Sequence, residues 1–193
     1  MPRSDVSQVT IRQMLALKNA EVSKRVEEVW GKVSAPTKDK AAQIAKYKAA
    51  LGKETLKKAN LANGRALYVK HCAACHKLFG EGGDVGPDLT GSQRANLDYV
   101  LENVLDPSAV VPNEYKITIV ETKNGRTLAG IIKSETPAAI TVQLQNETLV
   151  VPKGDIESRT PTKMSMMPEG IFEQMRMEEV RDLVAYLANP VRK

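Results

Sequence analysis

Aromatic residues are scarce: one Trp, five Tyr and two Phe make up 4% of the 193 residues. A core must therefore rest on Leu, Ile, Val and Ala, or form around something that is not protein. Cysteine and histidine are scarcer, two of each in the whole chain. That leaves too little for a disulfide framework and only four candidate ligands for a zinc site that takes about four. No apolar run approaches the roughly 18 residues a membrane-crossing helix needs. No block of five or six like charges occurs either; 28 Lys and Arg against 23 Asp and Glu give a net charge of +5 spread along the chain. Such a balance favours an acidic partner surface weakly and gives no ground for nucleic-acid binding. The length leaves room for one core plus an appendage, not for two large enzymatic lobes.

What is present divides by periodicity. Residues 6–17 and 20–33 read as helices, with Val22, Val26, Val29 and Val33 forming one stripe, Trp30 beside it and Asn19 between the two. A third helix follows Pro36 and Thr37, carries Ile44, Tyr47 and Leu51 on one face and stops at Gly52. Residues 1–57 thus form a Lys-rich N-terminal helical region. Another helix over 61–71 leads into the glycine-rich stretch 79–91, which reads as loop. Asn96 is placed to cap a helix bearing Leu97, Val100, Leu101, Val104 and Leu105. At about Asn113 the period changes to 2. Tyr115, Ile117 and Ile119 alternate with polar residues, and Asn124-Gly125 marks a hairpin whose two central residues both need positive φ. Further strands read at 127–134, 138–144 and 148–151, giving a small curved antiparallel sheet or barrel of four or five strands. Helical grammar returns after Pro161, with a last helix over 178–189. Residues 113–161 are therefore expected to be an insertion between helical segments.

The chemistry starts at Cys72-Ala73-Ala74-Cys75-His76. C-x-x-C-H is the covalent haem attachment signature: two thioethers from Cys72 and Cys75, and His76 presented to the iron from one face. A redox C-x-x-C pair belongs beside a βαβ pattern, which is absent. The sixth ligand narrows by elimination. His71 is tethered on the proximal side with Cys72, and a thioether suits an electron-transfer haem. Of seven Met, three cluster at Met164, Met166 and Met167, ahead of the last helix.

These residues resemble class I cytochrome c. Gly64-Arg65-Ala66-Leu67-Tyr68 matches that family's first helix, and Asp182-Leu183-Val184-Ala185-Tyr186-Leu187 its last. Gly86-Pro87-Asp88-Leu89 matches a loop in which the Pro carbonyl accepts from the proximal His and the Leu packs on the haem. The family's M-P motif selects Met167 as axial ligand with His76. Met167 lies 91 residues after His76, and removing the 49 residues of 113–161 leaves 42, a spacing normal for the family. Arg94 is the candidate fork for a haem propionate. The ordered motifs, from His71 through Met166-Met167-Pro168-Glu169-Gly170 to the last helix, resemble more narrowly the planctomycete-type haem-binding domain over about residues 58–190. That type stands at the C-terminus of large exported proteins. Arg176 departs from it, standing where a Ser or Asp cap is expected.

The resemblance implies a mainly α fold. A class I cytochrome c haem domain, 58–112 and 162–193, is interrupted by the β insertion 113–161 and preceded by the helical region 1–57. It further implies one covalent haem c, with Cys72, Cys75, His76, Pro87, Leu89 and Arg94 around it and His76 and Met167 on the iron. The function implied is electron transfer, not catalysis, with a redox partner protein or a preceding dehydrogenase domain. A haem-based small-ligand binder or sensor is the alternative, and the edge strands of the insert offer docking or homodimer surfaces. Haem c is attached outside the cytoplasm, so a periplasmic or otherwise exported location is expected. Since MPRSD opens no signal peptide, the chain is expected to derive from a longer precursor.

Overall fold

The computed structural model describes residues 10–11, 14–15, 17–30 and 37–189. The helix expected over 6–17 and the end of the next at Val33 lie partly outside these residues. Helix α1 is Ala20–Trp30, started by Asn19, whose side chain accepts from the Glu21 and Val22 amides. Helix α2, Lys38–Ala50, is capped by the Thr37 hydroxyl, and a short turn of helix, α3, spans Lys53–Leu56. Asn60 and Asn96 cap α4, Leu61–His71, and α5, Leu97–Leu105, each accepting from two otherwise orphaned amides. The last helix, α6, is Met177–Ala188. Arg176 offers no side-chain acceptor at its start, and Glu179 supplies the other half of the capping arrangement by accepting the Arg176 amide at 2.8 Å.

Helices α2, α4, α5 and α6 share one core of Tyr47, Leu51, Leu67, Leu101, Phe172, Val180 and Leu183. Helix α2 therefore shares the core of α4, α5 and α6; its Tyr47 ring lies 5.3 Å from that of Phe172. Trp30 of α1 packs with a second cluster, Ile11, Val26 and Val110.

The glycine-rich stretch is not all loop. Strands β1, Lys77–Leu78, and β2, Glu81–Gly82, form a minimal hairpin through Phe79 and Gly80, both at positive φ. That is the turn geometry expected of Asn124-Gly125. There only Gly125 has positive φ, and Thr122 bonds both the Gly125 amide and Arg126 in a three-residue loop.

The mainly α expectation is overturned: the described residues are 43% helical and 23% strand. Strands β3 (Lys116–Thr122), β4 (Thr127–Glu135), β5 (Ala139–Gln143), β6 (Thr148–Pro152) and β7 (Ile156–Ser165) form one antiparallel sheet in the order β6-β5-β4-β3-β7. Strand β7 carries no apolar alternation and contains Pro161, hence the sequence reading places its last strand at 148–151 and ends the β unit at 161. Among the described residues it pairs only with β3, and the register slips between Lys116 and Thr118, beside Pro161. An edge strand at an irregularity is where proline is tolerated in a sheet. The sheet consequently continues to Ser165, past the expected boundary at 161. One of its faces builds a core of its own from Val120, Leu128, Ile140, Val142 and Val151.

Candidate functional site

Helix α4 does not stop cleanly at His71. The Cys72 amide donates to Tyr68 O at 2.8 Å, and the Cys75 and His76 amides both return to Cys72 O, at 3.0 and 2.9 Å. This tight turn brings the Cys72, Cys75 and His76 side chains onto one cavity of about 190 Å³. The Tyr68 hydroxyl donates to His76 O at 2.6 Å and fixes the turn from below; burial, with nearby negative groups, raises this phenol to about 12. Sequence reading places Tyr68 in the family's first helix and gives it no part in this turn.

The segment 83–89 wraps the turn. Gly83 N bonds Ala73 O, Gly86 N bonds Cys75 O and Leu89 N bonds Lys77 O, each at 2.8 Å. His76 Nδ1 then lies 2.9 Å from Pro87 O. A carbonyl only accepts, so Nδ1 carries the proton and Nε2 keeps its lone pair. Burial pushes this imidazole below its ordinary pKa, against the opposing effect of the Pro87 bond. Gly86 is required by contact: a Cβ there would sit 2.5 Å from His76 Cε1 and 2.8 Å from Nδ1.

Met166, Met167, Pro168 and Ile171 line the same cavity. Met164, by contrast, is 59% exposed and does not line it. Met166 and Met167 thus remain the two cluster members at the cavity. Leu89 and Arg94 also line it. The Arg94 guanidinium is largely engaged elsewhere: Nη1 donates to Leu187 O and to Asn189 O (2.6 Å), Nε to Thr90 O (3.3 Å), and the group lies 4.7 Å over the Phe79 ring. Its first task is to satisfy the open carbonyls at the end of α6.

Several walls were not foreseen. Trp30 comes from α1, Val110, Val111 and Tyr115 from the α5–β3 connection, and Ile131 from β4. Trp30 is the lone tryptophan, yet no local spacing ties it to Cys72, because only folding closes that distance.

The donor set discriminates between cofactors. Burial raises the Cys72 thiol to about 12, the opposite of the depressed value a redox-active cysteine needs. Among the described residues no three His, Cys, Asp or Glu side chains gather as a metal cage. Two unpaired thiols, one imidazole with its Nε2 lone pair left open and a thioether wall around an apolar cavity fit a covalently attached haem. A family model for cytochrome c matches residues 61–189, from the start of α4 to just past α6, with the β unit inside the match.

The chain belongs to the cytochrome c family. A comparison with curated proteins returned no match. Membership assigns this cytochrome c domain covalently bound haem c and the role of an electron carrier. Among the described residues no helix is long and apolar enough to cross a membrane.

Proposed function

We propose that this cytochrome c domain is a single-haem electron-transfer module of the planctomycete type, exported to the periplasm or beyond, that serves a larger dehydrogenase-like protein or a dehydrogenase partner. In this reading Cys72 and Cys75 would hold the haem, and His76 and Met167 would supply its iron ligands. The single C-x-x-C-H motif supports one haem. The observation that carries the reading is the His76 Nδ1 to Pro87 O bond, which leaves Nε2 as the ligand nitrogen in a cavity that Met166, Met167 and Pro168 also line.

When bound, the haem supplies a reversible one-electron couple between ferrous and ferric iron. The protein's part is to set that couple and to limit reorganisation. Proton donation to Pro87 O raises the basicity of His76 and locks its ring plane. The apolar walls exclude water, which favours the less charged ferrous state together with a thioether ligand. A proline at 168 disfavours helical backbone at Met167, and the Ser165 hydroxyl accepts the Met167 amide at 3.1 Å. Both features present the sulfur from a constrained loop. Arg94 lines the same cavity, and pairing with a haem propionate would add to its carbonyl contacts.

The test is substitution of the two adjacent methionines. Met167→Ala is expected to leave haem attached, abolish the weak near-infrared Met-to-ferric band, lower the potential and admit CO readily, whereas Met166→Ala does little. Exchange of the two outcomes would move the ligand to Met166. Retention of the band in both would remove this cluster as the source of the ligand. Absence of covalent haem after expression with the maturation machinery would refute the reading as a whole.

A further inference from the structure

Two lysines outside the cavity lining reach, one from α2 and one from β4, the two loops that flank the cavity. Strand β4 alternates: Leu128 and Ile132 pack in the core of the β unit, while Ile131 lines the haem-domain cavity. Two residues beyond Ile131, Lys133 sends its ammonium to Asp84 O and Val85 O, the second at 3.4 Å. Those carbonyls immediately precede Gly86 and Pro87. The segment is thereby held from inside by the Ala73 and Cys75 carbonyls and from outside by Lys133.

On the other wall, Lys40 of α2 donates to Leu105 O at 2.7 Å and to Glu169 Oε2 at 2.6 Å. Leu105 is the last residue of α5, whose carbonyl has no helical partner. Glu169 stands two residues after Met167 and just before Gly170, which turns the chain with φ of +78°. One helical turn along α2, Gln43 Nε2 donates to Glu173 Oε1 at 3.1 Å. The stretch 169–173 is therefore fastened to α2 at both ends. Lys40 is 21% exposed and Glu169 56%. An ion pair this open adds little stability, so its consequence is placement of the loop.

We propose that Lys133 and Lys40 are positioning residues, one for each axial side. Lys133 fixes the loop whose Pro87 carbonyl orients His76, and Lys40 fixes the loop that presents Met167. The β unit and the N-terminal helices thereby acquire a specific function, control of haem ligand geometry. The Lys40 half rests on the assignment of Met167 as ligand; the Lys133 half does not.

The experiment uses the intact haem-loaded chain with Lys133→Met and Lys40→Met, and Lys→Arg at each site as rescue. Four readouts are taken: the His76 Nδ1–H resonance of the ferrous protein, the Met-to-ferric band, the rate of CO binding, and hydrogen exchange of amides 83–89 and 169–173. Loss of one ordinary hydrogen bond corresponds to about fivefold in a local opening equilibrium. Lys133→Met should therefore speed exchange at Gly83 and Gly86 about fivefold and move the His76 proton, leaving the Met-to-ferric band in place. Lys40→Met should weaken that band and speed CO binding about fivefold, leaving the His76 proton in place. Arg should restore each. Equal changes of all readouts in both variants, or no change in either, overturn the proposal. If Met167→Ala keeps the band, the ligand assignment fails and the Lys40 half with it, while the His76 proton still decides Lys133.

Discussion

Replacing Gly64 by Ala sets two known effects of opposite sign against each other at one atom. In the interior of α4 the change should stabilise the helix by about 1 kcal/mol, because Ala loses less backbone entropy than Gly. The structure places the new Cβ 2.2 Å from Asp182 O and 2.7 Å from Tyr186 Cβ, on the facing helix α6. Neither contact can be relieved by a rotamer, since one partner is backbone and the other the first side-chain atom. Relief requires α6 to move outward by about 1 Å, given the usual C···O approach in weak contacts. Overpacking of this kind costs about 1–3 kcal/mol. The same movement stretches the bonds that Asp182 accepts from Asn60 N (3.0 Å) and Asn63 Nδ2 (2.9 Å), each worth about 1 kcal/mol. The penalties exceed the propensity gain, for a net loss of about 1–3 kcal/mol. For a chain of this size that lowers Tm by roughly 2–12 °C, at 2–4 °C per kcal/mol. Thermal unfolding of the haem-loaded protein by far-ultraviolet circular dichroism measures it. Gly91→Ala, whose Cβ meets nothing within 4 Å, is the matched control. A Gly64→Ala protein as stable as the parent would show that the α4–α6 crossing is not a close contact.

Three further outcomes are expected. Burial would raise the Asp182 carboxyl, but donation from Asn63, Arg181 and the Asn60 amide outweighs it and holds the group below its ordinary value. Its stabilisation is thus present above about pH 4 and lost as pH falls through the folded value; Asp182→Asn should flatten the acid limb of a stability–pH profile, and an unchanged limb would contradict the assignment. Gly86→Ala should displace the His76 ring and cost about 1–3 kcal/mol, read as loss of the protected Nδ1–H resonance while haem stays attached. Excision of residues 116–165 with a short bridge should retain covalent haem but lose the low-spin spectrum, because Ile131 and Ser165 leave the cavity wall with the sheet; a normal spectrum would show the β unit to be dispensable.

Local order was legible in the sequence wherever a short-range rule governs it. Asn96 starts its helix as expected because a side-chain acceptor is needed within three residues of an exposed amide, and Asn19, Thr37 and Asn60 cap theirs by the same rule. Cys72, Cys75 and His76 converge because one turn of backbone is enough to bring them together. Strand β7 escaped because an edge strand needs neither alternation nor freedom from proline, and its pairing with β3 lies some forty residues away in sequence. The turn at Asn124-Gly125 took another form because a hairpin's loop length follows from the register of both strands, not from the dipeptide alone.

The sequence by itself determined the chemistry: two thiols, one imidazole and a methionine cluster admit few cofactors, and their spacing admits fewer. Only the tertiary structure decided how that chemistry is enclosed. Trp30, Tyr115 and Ile131 meet at the cavity, and Lys40 and Lys133 reach its two loops through bonds between residues 129 and 49 positions apart. Such contacts leave no periodic trace, because burial and hydrogen bonding act on distance in space, which the order of residues along the chain does not encode locally.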